Sequence, residues 1–210
     1  MKRLLSISRL NGLLLLTAML FATCITAQDR VVRVGLYQNE PKIMPDAGGQ
    51  PSGLLGDLLL AIAAQEDWQL VPVPCEWEQC LNLLAQGEID LMPDVAISPA
   101  RRELFDFHQV PVLHSWSQLF SRPGHTIHSP LDLDGKRVAL LAEGVQQEYV
   151  QQLMDGFDIQ PRIMPVGSLE EALQELQQGH VDLAVSNHLY GNYHAAEYGV
   201  VPTSIVFQPS

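Results

Sequence analysis

Apolar residues in this chain gather in short runs, and the spacing inside the runs switches between the period of a strand and that of a helix. Residues 31–37 are almost continuously apolar and valine-rich, which predicts a buried strand. Residues 38–52 are rich in Pro, Gly, Asn and Asp, the chemistry of a loop. A helix is predicted over 54–64 with Ser52 or Gly53 near its start, then a strand over 70–73. A helix over 77–86 follows, closed by Gly87, and then a strand over 89–92. The next helix, 99–105, is short, with Ser98 as N-cap and Pro99 at its first position.

The second half repeats the scheme. A strand over 137–141, a helix over 146–154 and a strand over 162–166 lead to a helix ending at Gln178. Ser168 caps that helix with Glu171 as its capping-box partner, and a strand over 181–185 follows. Residues 114–134, with prolines, Gly124 and no clear periodicity, are expected to carry the chain from one half to the other. Alternating strands and helices predict an α/β fold whose mostly parallel sheets are covered on both faces.

The two halves share a literal echo. Leu84-Ala85-Gln86-Gly87-Glu88-Ile89-Asp90-Leu91 returns 92 residues later as Leu176-Gln177-Gln178-Gly179-His180-Val181-Asp182-Leu183. Two matching helix–Gly–strand units imply two similar lobes with a cleft between them, where α/β folds bind ligands. The repeated Asp90 and Asp182 invite a reading as a catalytic pair. Beside helix-ending glycines they are better read as structural groups bonding local backbone.

Composition alters this picture at one end. Lys2, Arg3 and Arg9 precede an apolar run over 13–21, and Thr26-Ala27 offers a small-residue cleavage point, so residues 1–27 read as a secretory signal peptide. An uncleaved anchor is the alternative, against which the run is short. Cys24 follows Phe21-Ala22-Thr23, a poor lipidation signal. Without the leader, nine Lys and Arg face 24 Asp and Glu, a net charge near −15. That balance argues against nucleic-acid and anionic-lipid partners, because no basic stripe exists to release counterions. It suits a periplasmic location. Cys75 and Cys80 then remain; an even count in an exported chain predicts a disulfide, with free buried thiols or a metal pair as alternatives. No second Cys/His pair stands at a metal-like spacing, so neither a metal nor a cofactor is expected.

The order of parts resembles the family 3 extracytoplasmic solute-binding proteins, which have the type II periplasmic-binding fold. The landmarks are Val32-Arg33-Val34-Gly35, Gly53-Leu54-Leu55-Gly56-Asp57-Leu58-Leu59, and Trp77-Glu78-Gln79-Cys80 with Gly87-Glu88-Ile89-Asp90. They continue with Ser98-Pro99-Ala100-Arg101-Arg102 before Phe105-Asp106-Phe107, and with Asp132-Leu133-Asp134-Gly135-Lys136-Arg137-Val138-Ala139. The resemblance implies lobe 1 over 28–112, lobe 2 over 113–200, and a return toward lobe 1 over 201–210. Relatives continue past the equivalent of Ile205-Val206-Phe207 with a further strand and closing helices. The resemblance therefore implies a C-terminal part beyond Ser210 and an incomplete cover for lobe 1.

The same resemblance places Arg101 where the family holds a ligand carboxylate, and a planar guanidinium suits that task through two parallel hydrogen bonds. Ser98 opens the same helix; Arg102 is the rival cation, and an exposed surface arginine is the plain alternative. In the second lobe the family's Gly-Ser or Gly-Thr is replaced by Gly144-Val145-Gln146, so Val145 and Gln146 offer backbone N–H groups and no hydroxyl. Where relatives carry an Asp for a ligand ammonium, this chain has Asn187. That weakens the expectation of an α-amino acid. Tyr37, Trp77, Phe107, Trp116 and Tyr190 are the aromatics near the expected cleft, of which one or two would stack on a ligand.

The stretches 144–149 and 187–191 resemble sensor-domain versions of the fold that precede membrane histidine kinases or diguanylate cyclases. A small-molecule ligand is therefore expected, with an ABC permease or a fused membrane kinase or cyclase as partner. An enzyme on the same scaffold, such as a cyclohexadienyl dehydratase or a lyase-fused domain, is the alternative; His108, His114 and Glu40 are its candidate acids and bases. A pure interaction protein rests on the loop 38–52 alone.

Overall fold

A computed structural model describes residues 30–209. The expected signal peptide over 1–27 lies outside the described residues. Residues 31–210 form one compact unit in which two lobes are packed together.

The first lobe opens with β1 (Arg30–Leu36), whose inner residues Val34 and Leu36 are fully buried. A tight turn with a cis Glu40–Pro41 bond and the short strands β2 (Met44–Pro45) and β3 (Pro51–Ser52) lead into helix α1 (Gly53–Gln65). Gly53 is required there. Its φ of +82° is a glycine conformation, and a Cβ would lie 2.7 Å from the Pro41 carbonyl oxygen. Strand β4 (Trp68–Pro74) pairs with β1, and Cys75 and Cys80 form a disulfide that bridges the turn into α2 (Trp77–Ala85). Leu54, Leu58, Leu60 and Ile62 of α1 are exposed.

The strand expected over 89–92 is reduced to a parallel bridge between Leu91 and Val34. The reason lies in Asp90, whose carboxylate takes the Arg33 N–H at 2.8 Å and the Arg33 guanidinium at 2.7 Å. A side chain thus occupies a position that a backbone carbonyl would fill in a ladder. Arg33 also donates to the Gly87 carbonyl. The second lobe repeats this clamp group for group: Arg137 donates its N–H and guanidinium to Asp182 at 2.9 and 2.8 Å, and reaches the Gly179 carbonyl. Asp90 and Asp182 are indeed structural, but each partner is an arginine 57 or 45 residues upstream as well as local backbone. The echo therefore includes a third member, Arg33-Val34 in the middle of β1 and its counterpart Arg137-Val138 in lobe 2.

Arg137 holds the Asp182 carboxyl well below the usual range, at about 2. A depressed folded-state pKa contributes stability above the unfolded value that is lost as pH falls through the folded one. Asp182→Asn is expected to remove about 1 kcal/mol of that acid-dependent stability, the half-open position limiting the effect. Denaturant titrations between pH 5 and pH 2 (a window set by the reference carboxyl value and the shifted one) would show a shallower fall for the variant.

The short helix α3 (Pro99–Leu104) ends the lobe 1 portion of the chain. A five-stranded sheet follows in the order β7-β6-β8-β5-β9. Its members are β5 (Trp116–Ser121), β6 (Arg137–Leu141), β7 (Arg162–Val166), β8 (Leu183–Asn187) and β9 (Val201–Pro209). Helices α4 (Gln146–Phe157), α5 (Leu169–Gln178) and α6 (His188–Tyr198) complete the lobe. The pairs β7–β6 and β6–β8 are parallel, as alternation predicts, whereas β5 lies antiparallel to both β8 and β9.

The stretch 114–134, expected to show no clear periodicity, contains strand β5, and β9 pairs with that strand. An unpaired β5 edge would leave its N–H and C=O groups without partners, and β9 satisfies them. The Ser168 cap is present, its hydroxyl accepting from the Glu171 N–H at 3.0 Å; the Glu171 carboxylate bonds the Gly167 N–H, one residue earlier than a capping box requires. Among the described residues no helix is long and apolar enough to cross a membrane.

Candidate functional site

The chemistry gathers at the carboxyl ends of the strands. Tyr37 follows β1, Trp77 follows β4, Asp94 follows the 89–91 segment, Glu143 and Gly144 follow β6, Ser168 follows β7, and Asn187 ends β8. In α/β folds that end is where ligands bind, because loops and helix N-termini converge on it.

On the lobe 1 side, Tyr37, Asn39, Lys42, Trp77 and Arg101 are all buried. Asp94 Oδ2 accepts Lys42 Nζ at 2.6 Å and Asn39 Nδ2 at 2.6 Å, with the Tyr37 hydroxyl at 3.4 Å. Burial pushes the Asp94 carboxyl up, and Lys42 opposes that rise. Burial, followed by the Asp94 charge, drives the Tyr37 phenol well above its ordinary value. The Tyr37 ring meets Trp77 edge-on at 5.1 Å, and the Arg101 guanidinium lies 5.2 Å above the Trp77 ring. One continuous chain of contacts therefore runs from Lys42 to Arg101.

Arg101 is placed by Ser98, whose hydroxyl accepts the Arg101 N–H at 3.3 Å and caps α3. Its guanidinium donates to the Ala96 carbonyl at 3.1 Å and to the Glu143 carbonyl at 2.9 Å. Among the described residues it forms no ion pair, and burial lowers its pKa. A cation shut away from water with only neutral acceptors is costly to hold unless an anion joins it. Arg102, the rival cation, is exposed.

The second lobe meets this face directly. The Glu143 carbonyl accepts both Arg101 and, at 3.2 Å, the Trp77 indole N–H. Glu143 and Asp94 both have positive φ, 52° and 61°, conformations that cost non-glycine residues free energy and cluster at functional sites. Asn187 donates to Asn39 Oδ1 at 2.9 Å, and its own oxygen accepts the Tyr190 N–H at 3.0 Å, which caps α6. Val145 and Gln146 open α4, and the next N–H, that of Gln147, bonds the Gly144 carbonyl at 3.1 Å. Further out, His194 of α6 bridges Glu40 at 3.1 Å and Glu197 at 2.8 Å. A small cavity remains between Tyr37, Gln38, Glu76 and Trp77 on one side and Leu141, Gly167, Ser168 and Leu169 on the other. The apolar core is continuous across the same seam, from Leu36 and Trp77 to Leu141, Val166 and Leu169.

Tyr37, Ser98, Arg101 and Asn187 thus fall on one seam, with Val145 and Gln146 at the helix start just after Glu143. Sequence reasoning missed Asn39, Lys42 and Asp94, although Asp94 directly follows the third apolar segment of lobe 1. Of the other aromatics, Tyr190 is core, while Trp116 is 41% exposed and stacks on His188 at 3.4 Å. His108 and His114 are exposed, and Glu40 is engaged with His194.

Residues 32–128 match the model of the bacterial extracellular solute-binding proteins, family 3, and residues 110–201 match an NMT1/THI5-like model. An ancestral arginine-binding protein bound to glutamine superimposes with a TM-score of 0.75 at 23% identity, covering 87% of this chain and 83% of that one. A histidine kinase sensor domain with similarity to periplasmic binding proteins gives 0.74 at 24% identity, covering 86% and 78%. The GluR0 ligand-binding core from Nostoc punctiforme in complex with (L)-glutamate gives 0.70 at 23%, covering 85% and 81%. No curated protein sequence matches the chain. The fold is the two-lobed type II periplasmic-binding fold, and the first half of the chain carries the signature of the family 3 solute-binding proteins.

Proposed function

We propose that this chain binds a small carboxylate-bearing solute between its two lobes outside the cytoplasm. The observation that carries the reading is Arg101, a buried guanidinium that bridges the lobes through carbonyls and has no ion-pair partner among the described residues. A ligand carboxylate entering as the lobes part would replace the Glu143 carbonyl with a charge-assisted, bidentate contact. Ser98, Tyr37, the N–H groups of Val145 and Gln146, and the Asn187 amide complete the set of ligand contacts. Export by the 1–27 leader into the periplasm follows from the same reading.

The bound state is passed either to an ABC permease for uptake or to a fused membrane kinase or cyclase for sensing. The likeness to a histidine kinase sensor domain supports the second route. Binding is favoured over catalysis because the candidate acid–base groups are scattered: Glu40 is tied to His194, and His108 and His114 face solvent.

Thermal shift against a panel of mono- and dicarboxylates and amino acids tests the reading, since a ligand that binds only the folded state raises the melting temperature. At least one carboxylate is expected to raise it. A panel in which every carboxylate leaves the melting temperature unchanged overturns the assignment.

A further inference from the structure

The site contains a carboxylate that already has its own cation. Asp94 and Lys42 are 13% and 6% exposed in their side chains, and their charged atoms are 2.6 Å apart. Lys42 has little freedom to leave. Its N–H bonds the Asn39 carbonyl at 2.9 Å, and its carbonyl accepts the Leu55 N–H at 2.8 Å from the first turn of α1. The tight packing at Gly53, where a Cβ would also lie 3.0 Å from the Lys42 carbonyl oxygen, fixes that turn against the helix. The Asp94 oxygen that takes Lys42 also takes Asn39, so the charge is both neutralised and hydrogen-bonded.

An α-amino acid brings two charges to such a site. Its carboxylate suits Arg101, but its ammonium would find Asp94 matched by Lys42 and, across the seam, the neutral Asn187 amide. Leaving a charged group without a partner in a desolvated site is strongly unfavourable. Of the two buried cations, Lys42 is answered by Asp94, whereas Arg101 is bonded to carbonyls and takes only longer-range attraction from Glu143 and Glu148.

We infer that Lys42 is a specificity-determining residue that occupies the place of a ligand cation, so that the cleft selects organic acids without an α-ammonium group over the corresponding amino acids. This rests on the carboxylate reading proposed above. It also sets the chain apart from its structural neighbours, which include proteins bound to arginine, glutamine and glutamate.

Calorimetric titration of the purified chain with matched pairs decides it. Succinate with L-aspartate, and glutarate with L-glutamate, differ within each pair only by the ammonium. The organic acid is expected to bind at least about tenfold more tightly than its amino acid, the factor that accompanies a difference of about 1.4 kcal/mol. Lys42→Gln keeps a donor to Asp94 but removes the charge, and is expected to shift the ratio toward the amino acid by about tenfold. Adding Asp94→Asn to Lys42→Gln should cancel that gain. Lys42→Met serves if the glutamine variant fails to fold, and the wild-type ratio needs no variant at all. Equal wild-type affinities, or a ratio that Lys42 variants leave unchanged while organic acids still bind, overturn the role of Lys42 alone. If no carboxylate binds the wild-type chain, the carboxylate reading itself falls, and this inference with it.

Discussion

Arg101→Ala is expected to abolish the ligand-induced rise in melting temperature and to weaken carboxylate binding by about a hundredfold or more. The size follows from the hydrogen bonds that alanine cannot make. A hydrogen bond to a charged group contributes roughly 1.5–3 kcal/mol, and a guanidinium offers two in parallel to a carboxylate. Arg101→Lys is expected to recover only part of the affinity, because an ammonium keeps the charge and loses the planar fork. The same side chain also bonds the Ala96 and Glu143 carbonyls and covers Trp77, so unliganded stability should fall as well. Denaturant unfolding without ligand separates the two effects: a variant that folds normally and binds carboxylates with wild-type affinity would remove Arg101 from the site.

Gly191→Ala should be among the most destabilising single-methyl additions in the second lobe. A Cβ at Gly191 would lie 2.2 and 2.3 Å from two atoms of the Phe120 ring, and that ring is fully buried in β5 between β8 and β9. A fully buried aromatic ring held between β5 and α6 cannot yield as the end of a flexible chain would, so overpacking outweighs the gain in helix propensity of about 1 kcal/mol. A net loss of about 2–3 kcal/mol is expected, lowering the melting temperature by roughly 4–12 °C for a domain of this size. Gly156→Ala in α4 is the internal control. Its Cβ would meet nothing within 4 Å, so propensity alone acts and stability should rise by about 0.5–1 kcal/mol. Phe120→Leu in the Gly191→Ala background is expected to restore part of the stability. Equal melting temperatures for the two alanine variants would contradict the packing seen at Phe120.

Both effects depend on where the chain brings distant residues together, and that marks the limit of what periodicity conveys. Elements with a strong local signature are legible: β6 and β7 coincide with the expected strands, and Pro99 with Ser98 marks the start of α3. Strand β5 was not legible, because its Trp116-Ser117-Gln118-Leu119-Phe120-Ser121 sits between prolines and a glycine and is specified by partners on both sides. Such a strand is held by cross-strand contacts that propensity does not record. Strand β9 was missed for the same reason, and helix α6 because its apolar residues form no stripe along one face. The third strand of lobe 1 was expected to be longer than it is, since nothing local reveals that Asp90 would bond the Arg33 N–H.

The site divides along the same line. Arg101, Ser98 and Asn187 were singled out because they stand in short stretches that resemble the family's motifs. Asn39, Lys42 and Asp94 carry no such motif: Lys42 and Asp94 are 52 residues apart and become a pair only when the turn after β1 closes against the segment after Leu91. By itself the sequence conveyed the α/β alternation with its echoed halves and the pairing of Cys75 with Cys80, because these are written in local periodicity and cysteine count, while Arg101 was singled out by the family resemblance. Only the tertiary structure decided that β9 completes the second sheet, that the lobes meet through the Glu143 carbonyl and Asn187, and that Asp94 is already answered by Lys42. Those features are long-range, and their energies arise from burial and mutual placement that no window along the chain contains.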